Sequence, residues 1–375
     1  MKIIPIKKDG KMVDKDNGGV WAHVNQIKFL INFDFEDKIN ELIKNQKRTS
    51  VTICTYSIGF NLLQKLDRLS NFCKVEILFN TLTNADIDML REKYPTITFI
   101  GRNNVHAKFM FIGPDEVLLS SKNIWNNDPT EWFQWGADII GDEDVYSYYL
   151  NEYKSYLNNS PTNRLTQNKQ VKDDPSHRKA KSIYLQSKCL TINYARVKLC
   201  QVPNYATELV GYVQHKGCNS RSLCIVTYTM PDNKYKNKVY SHLRSILNYL
   251  DKGKADVSIF VGCQNLQVIN KLQSFSKRYS KFKFYTCPNV HAKLIINDNN
   301  GVILSSQNFS DSGWFEDSLI VKNKAVHNFY LTEFLQFIEN KQIQEYRNGI
   351  VINLPQDKKM QLINDLNIRQ HNSNY

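Results

Sequence analysis

The sequence predicts an α/β protein built from two similar units. Each is a mixed β-sheet flanked by helices, the two are related by a pseudo-twofold axis, and the functional site lies between them. Three observations lead there. A run of twenty residues occurs twice. The segments around each copy follow the same order of strand-like and helix-like patterns. A polar connector separates the two sets.

The repeat reads NVHAKFMFIGPDEVLLSSKN at 104–123 and NVHAKLIINDNNGVILSSQN at 289–308. One gapless offset of 185 carries His106 onto His291, Lys108 onto Lys293, Ser120 and Ser121 onto Ser305 and Ser306, and Asn123 onto Asn308. The same offset carries Glu131 onto Glu316. Self-similarity of this kind marks a duplicated structural unit.

Each element can be justified in turn. Val51–Ser57 and Leu223–Thr229 match as apolar, β-branched runs, as do Val75–Asn80 and Val257–Gly262. Thr96–Ile100 and Lys283–Thr286 are short β-prone runs ahead of each repeat. Val105–Ile112 and Val290–Ile296 read as strands. Gly113–Asp115 and Asn297–Gly301 punctuate like hairpin turns, and Val117–Leu119 and Val302–Leu304 return as strands. Gly136–Ile140 and Asp317–Val321 follow as apolar runs, then helical patterns at Tyr146–Leu157 and Val326–Ile338. The connector, 158–182, has two prolines and six basic residues and reads as a linker or surface loop. The chain thus divides into a unit at 1–157, the connector, a unit at 183–345 and a tail at 346–375. Side chains alternate along a strand, so a His and a Lys two residues apart share one face.

Composition narrows the class. The chain has 375 residues, 42% hydrophobic and 23% charged, which excludes a disordered or collagen-like protein. No run of 18 uncharged apolar residues offers a spanning helix. The first residues lack the apolar core of a secretory signal, so a cytoplasmic protein is expected. Eight cysteines form no CxxC pair and have no histidine at zinc-finger spacing, so buried reduced thiols are expected rather than disulfides or zinc. A net charge of +13 favours an anionic partner, either nucleic acid or an anionic membrane surface.

Each half supplies a His, a Lys, a Ser, an Asn and a Glu. Together they give two imidazoles, two ammonium groups and several neutral donors, a set suited to the charged oxygens of a phosphate. One imidazole can attack phosphorus while the other protonates the leaving oxygen. A carboxylate on the far ring nitrogen fixes the tautomer. No acidic set at metal-ligand spacing accompanies the motif.

The pattern HxK followed by SSxN, present twice, resembles the phospholipase D superfamily, in its nuclease-like branch. The family motif is HxK(x4)D followed by GSxN. His291, Lys293 and Asp298 fit it fully. In the first half Gly113 stands where the family has Asp, with Asp115 two residues later. The resemblance is specific over roughly 28 residues in each half and architectural over most of Val51–Ile338. It implies a phosphohistidine intermediate, no metal and no cofactor. It assigns His106 and His291 as nucleophile and general acid–base, with His106 as the attacking residue. Lys108, Lys293, Asn123 and Asn308 would bind phosphate oxygens, and Ser121 and Ser306 would order the site. Glu131 and Glu316 would orient the histidines, and Asp298 and Asp115 would support the turns.

Aromatic and basic residues near the motifs are secondary candidates. Trp125 and Trp314 would stack on bases, and Lys277, Arg278, Lys281 and Lys283 would add a basic face. The plainer reading of 277–283 is a strand with Phe inward and Lys outward. Three functions compete: a nuclease acting on DNA or RNA, a lipid phosphodiesterase or transferase, and an inactive nucleic-acid-binding module. Charge and two intact HxK sets favour an endonuclease of DNA, in restriction, antiphage defence or repair. Nothing in the sequence reads bases, so specificity would come from a partner such as a helicase. Both motifs lie on one chain, so a monomer suffices for catalysis, and a homo-oligomer stays open.

Overall fold

The computed structural model describes residues 7–8, 11–12, 19–56, 60–80, 84–102, 105–124, 132–159, 187–200, 222–231, 243–244, 247, 256–262, 265–298, 301–309, 316–347 and 350–371. Two short strands, β1 (Lys7–Lys8) and β2 (Lys11–Met12), pair by themselves. The first half then contributes β3 (Gly19–Ile31), β4 (Ser50–Thr55), β5 (Lys74–Asn80), β6 (Ile97–Arg102), β7 (Phe109–Ile112), β8 (Glu116–Ser120) and β9 (Trp135–Ile140). The second contributes β10 (Lys188–Cys200), β11 (Ser222–Thr227), β12 (Asp256–Val261), β13 (Phe282–Thr286), β14 (Lys293–Asn297), β15 (Gly301–Ser305) and β16 (Ser318–Lys322). A hairpin of β17 (Gln344–Arg347) and β18 (Ile350–Asn353) follows.

Sixteen strands form one sheet, ordered β18-β17-β13-β12-β11-β14-β15-β16-β10-β3-β9-β8-β7-β4-β5-β6. Read outward from the centre, the two halves run in the same order, strand for strand. β4, β5 and β6 pair in parallel, as do β11, β12 and β13, and the other main pairings are antiparallel. The mixed, duplicated α/β architecture expected from the repeat is therefore the one observed. Its centre is the ribbon of β3 and β10, paired from Lys188 opposite Ile31 to Cys200 opposite Gly19.

The helices are α1 (Phe35–Asn45), α2 (Phe60–Ser70), α3 (Asn84–Lys93), α4 (Glu143–Asn159), α5 (Leu266–Arg278), α6 (Lys324–Asn340) and α7 (Gln356–His371). Asp34, Asn265 and Asn323 cap α1, α5 and α6 by accepting backbone N–H bonds of the first turn. In α1 the buried Phe35, Ile39 and Leu42 fall at helical spacing. Of the connector, Asn158 and Asn159 end α4, and the rest lies outside the described residues.

One hydrophobic cluster is shared by both halves. It joins Phe29, Trp135 and Tyr149 to Leu319, Tyr330 and Phe334, with α4 and α6 on the same side. Burying each such side chain stabilises the fold by roughly 1.5–3 kcal/mol. Two further clusters serve one half each, beneath α1–α3 and beneath α5. Polar contacts cross the divide as well. Phe133 forms a parallel bridge with Val290, Trp135 Nε1 donates to the Ser305 carbonyl (3.0 Å), and the Tyr330 hydroxyl donates to the Gly136 carbonyl (3.1 Å).

Residues beyond 345 join the body of the fold. β17 pairs with β13 through Thr286 and Gln344. Lys359 Nζ caps the end of α6 by donating to the carbonyls of Glu339 (2.6 Å) and Lys341 (3.2 Å). Gln370 bridges His327, a core residue, and Ser222 at the start of β11.

The motif departs from its expected placement. The sequence reads strands from Val105 and Val290, but β7 begins at Phe109 and β14 at Lys293. His106, Lys108 and His291 lie on the segments leading in. The reason is where their backbone bonds go. Lys108 N–H donates to Asp317 Oδ1 (3.2 Å), and Ala292 N–H donates to the Phe133 carbonyl (2.7 Å). Both partners belong to the opposite half, so these segments stitch the halves together instead of extending the ladder.

Candidate active site

Each half delivers its motif to the same edge. Tyr56 and Tyr228 directly follow β4 and β11, while the HxK segments enter β7 and β14 beside those strands. Lys108 and Lys293 are buried, at 0% and 1% exposure, and His106 keeps 16% of its side chain accessible. Lys293 Nζ lies 3.3 Å from His291 Nδ1 and 3.4 Å from Nε2. Lys108 Nζ donates to the His106 carbonyl at 2.5 Å.

The halves interlock at the histidines. Glu316, from the second half, lies 3.0 Å from Nδ1 of His106, from the first. Its Oε2 also accepts from the Ser306 hydroxyl at 2.5 Å. Trp132, from the first half, stacks on His291, from the second, with ring centroids 4.8 Å apart. Tyr228 approaches the same ring at 5.0 Å, and Tyr56 lies 5.9 Å from the ring of His106.

Burial sets the charge state. It pushes His106 down to about 4, with Lys108 and Lys293 adding to the effect and Glu316 opposing it. Burial, Lys293, Lys108 and His106 push His291 well below the usual imidazole range. The mutual effect of these groups puts both histidines and both lysines in one electrostatic cluster. Burial alone would raise Glu316, but His106 and Lys108 hold it below the usual carboxylate range. Asp317, buried beside it, is pushed up to about 7 by burial. Burial also drives the thiols of Cys54, Cys224 and Cys287 up, and the five cysteines at 54, 73, 189, 224 and 287 are free.

The serines pin the strand that follows them. Ser121 Oγ accepts from Trp135 N–H (3.0 Å), and Ser306 Oγ accepts from Asp317 N–H (2.9 Å). Ser121 N–H in turn donates to the Trp135 carbonyl (3.1 Å), and Ser306 N–H to the Asp317 carbonyl (2.9 Å). Asn308 Oδ1 accepts from Thr229 N–H (3.2 Å), whereas Asn123 Oδ1 is buried with no hydrogen-bond partner among the described residues.

These bonds correct one pairing of the sequence analysis. The 185 offset holds through Ile124 and Phe309, whose backbone N–H groups donate to the matched Thr55 and Thr227 hydroxyls, and then breaks. Trp135 is the counterpart of Asp317, so Gln134 is the counterpart of Glu316. The loop after SSxN is three residues longer in the first half, and that displaced the alignment. The dipeptide Trp132-Phe133 recurs as Trp314-Phe315 at offset 182, a signal that would have found the shift. Glu131, Trp125 and Trp314 lie outside the described residues.

The turns differ too. Gly113 N–H donates to the Ser50 carbonyl (2.9 Å) and Asp298 N–H to the Ser222 carbonyl (3.3 Å), so the two positions correspond. A Cβ at Gly113 would lie 2.6 Å from Ser50 Oγ and 3.0 Å from Tyr146 OH, which leaves no room for Asp. Asp115 instead accepts from Arg48 Nη1 at 2.5 Å. The basic run is not at the site. Lys277 and Arg278 end α5, Lys281 precedes β13 and Lys283 is exposed within it, while His291 follows the opposite end of that strand. Sequence reading also missed Tyr56 and Tyr228, although TY recurs in the matched runs 51–57 and 223–229. Asp317 carried no sequence signal.

No family model matches the chain, and no curated protein sequence matches it. Solved structures do. Phosphatidylserine synthase from Haemophilus influenzae Rd KW20 superposes with a TM-score of 0.61 at 14% identity, covering 94% of this chain and 96% of its own. Polyphosphate kinase from Porphyromonas gingivalis superposes with a TM-score of 0.53 at 12% identity, covering 82% of this chain and 50% of its own. The fold is the phospholipase D fold. This chain thus spans nearly all of the synthase and about half of the kinase. Within the phospholipase D fold found here, no group of three or more His, Cys, Asp or Glu among the described residues could hold a metal ion. No helix among them is long and apolar enough to cross a membrane.

Proposed function

We propose that the chain is a phosphodiesterase that hydrolyses nucleic acid, DNA in preference to RNA, through a phosphohistidine on His106. One observation carries the reading: Glu316 of one half holds Nδ1 of His106 in the other, within one electrostatic cluster with Lys108, Lys293 and His291. Held at Nδ1, the His106 ring offers the Nε2 lone pair. That nitrogen attacks phosphorus, the bond to the leaving oxygen breaks, and His291 supplies the proton that oxygen needs. His291 then takes a proton from water as the water oxygen attacks phosphorus. The P–N bond breaks and His106 is restored. Lys108 and Lys293 balance the charge on the phosphoryl oxygens, with Asn123 and Asn308 as neutral donors. The net charge of +13 supports a polyanionic substrate. Base recognition would fall to a partner such as a helicase.

The full-length likeness to phosphatidylserine synthase supports a second reading, in which the diester belongs to a phospholipid. One panel separates the two. Purified chain is incubated with closed-circular plasmid, single-stranded DNA, RNA and phospholipid vesicles, with and without EDTA. EDTA-resistant nicking of the plasmid supports the endonuclease. Headgroup release from vesicles with intact nucleic acids would replace it with the lipid enzyme.

A further inference from the structure

The two halves are not chemically equal where each histidine would receive its orienting group. The backbone register makes Gln134 the counterpart of Glu316: the residue after it, Trp135 or Asp317, makes the same pair of bonds to Ser121 or Ser306. The strand register agrees, with Val117 opposite Ile139 and Val302 opposite Val321. Gln134 is 2% exposed and follows directly on Phe133, whose carbonyl accepts from the backbone N–H of His291 (3.3 Å) and Ala292 (2.7 Å). The site thus carries a carboxylate on the His106 side and a carboxamide at the matching place on the His291 side.

We infer that Gln134 is the positioning residue that divides labour between the histidines, denying His291 the carboxylate that equips His106 to carry the phosphoryl group. The inference rests on the two-histidine reading above. Its chemistry follows from charge. Attack by an imidazole nitrogen on phosphorus leaves positive charge on the ring, and a bonded carboxylate stabilises it. A carboxamide can orient a ring but adds no charge. Among the described residues, the charged groups acting on His291 are Lys293, Lys108 and His106, and all three drive its proton off, opposed by a hydrogen bond to the Ser121 backbone. Those acting on His106 include Lys108 and Lys293, opposed by the carboxylate of Glu316. His291 therefore gives up a proton readily and holds a covalent phosphoryl group poorly.

The test uses bis(p-nitrophenyl) phosphate, whose leaving group needs no proton, and mass spectrometry of quenched reactions to locate the phosphoryl group. Wild type should carry it on His106. His106→Ala should carry none, and His106→Ala with Gln134→Glu should carry it on His291. Glu316→Gln, close to isosteric, should slow labelling of His106 by about 10²-fold or more. In NMR titration of Gln134→Glu, the His291 ring should titrate at higher pH than in wild type. Labelling of His291 in His106→Ala alone, unchanged labelling in Glu316→Gln, or an unmoved His291 titration would each overturn the inference. So would a Glu131→Gln variant whose His291 titration falls, because Glu131 would then be its carboxylate. Absence of any adduct or hydrolysis in wild type would instead remove the two-histidine reading itself.

Discussion

His106 and His291 occupy equivalent places in two copies of one fold, yet their surroundings have diverged. His106 faces a carboxylate and keeps 16% of its side chain open to solvent. His291 is buried, covered on one face by Trp132 and flanked by Tyr228 and Lys293. The contrast teaches that a shared backbone sets where the groups stand, while the side chains placed around them set what each can do. Glu316 and Gln134 hold matched backbone places, yet only Glu316 brings a charge.

The comparison can be broken most severely at the rings. His106→Ala or His291→Ala is expected to lower turnover of a diester with an alkoxide leaving group by on the order of 10⁴-fold or more. Near-normal turnover in either variant, measured in steady state, would mean that the halves do not share one reaction. Lys108→Ala and Lys293→Ala come next, with losses of about 10²–10³ in kcat, since on the proposed reading each removes one donor from the phosphoryl oxygens. Equal losses would mean that the lysines remain symmetric although the histidines do not.

A pH profile sharpens the same contrast. Both imidazoles are driven towards the neutral form in the free enzyme, His106 to about 4 and His291 well below the usual range. The form with one proton on the pair therefore grows scarce as pH rises. For an alkoxide leaving group, kcat/KM should fall from about pH 5 to pH 8, approaching tenfold per unit, whereas the p-nitrophenyl diester should give a flat line. A rise with pH for the alkoxide substrate would contradict this assignment of protons.

The turns offer a milder break. Gly113→Asp should destabilise the fold by about 1–3 kcal/mol in urea denaturation, because its Cβ meets Ser50 and Tyr146. A neutral or stabilising result would show that the first turn accepts the family residue after all. Smallest of all is Asp317→Asn. The Asn oxygen can still accept from Lys108 N–H, and a carboxyl already raised to about 7 loses little by neutralisation. The sign follows from linkage. A group whose folded pKa is raised contributes stability that is fully present below its unfolded pKa, about 4 for a carboxyl, and is lost as pH rises from there through the folded value of about 7. The variant should match wild type near pH 4 and gain stability relative to it progressively towards pH 8, measured by denaturation across that range.

The sequence by itself determined the duplication, the fold class and the two HxK pairs. A repeat at fixed offset survives in plain text, and strand periodicity is local. It also held, unread, the WF dipeptide that marks the true register after SSxN. Tertiary structure alone decided which half serves which histidine. Glu316 lies 210 residues from His106, and Asp317 lies 209 from Lys108. Such pairs form only when the shared core of Phe29, Trp135, Tyr330 and Phe334 closes the two halves on each other. Structure also explained Gly113, since the hydroxyls that exclude an Asp there come from β4 and α4, distant in the chain. Local patterns record the elements a segment can form. They carry no trace of the neighbour that burial will bring, and the proton affinity of each ring depends on that neighbour.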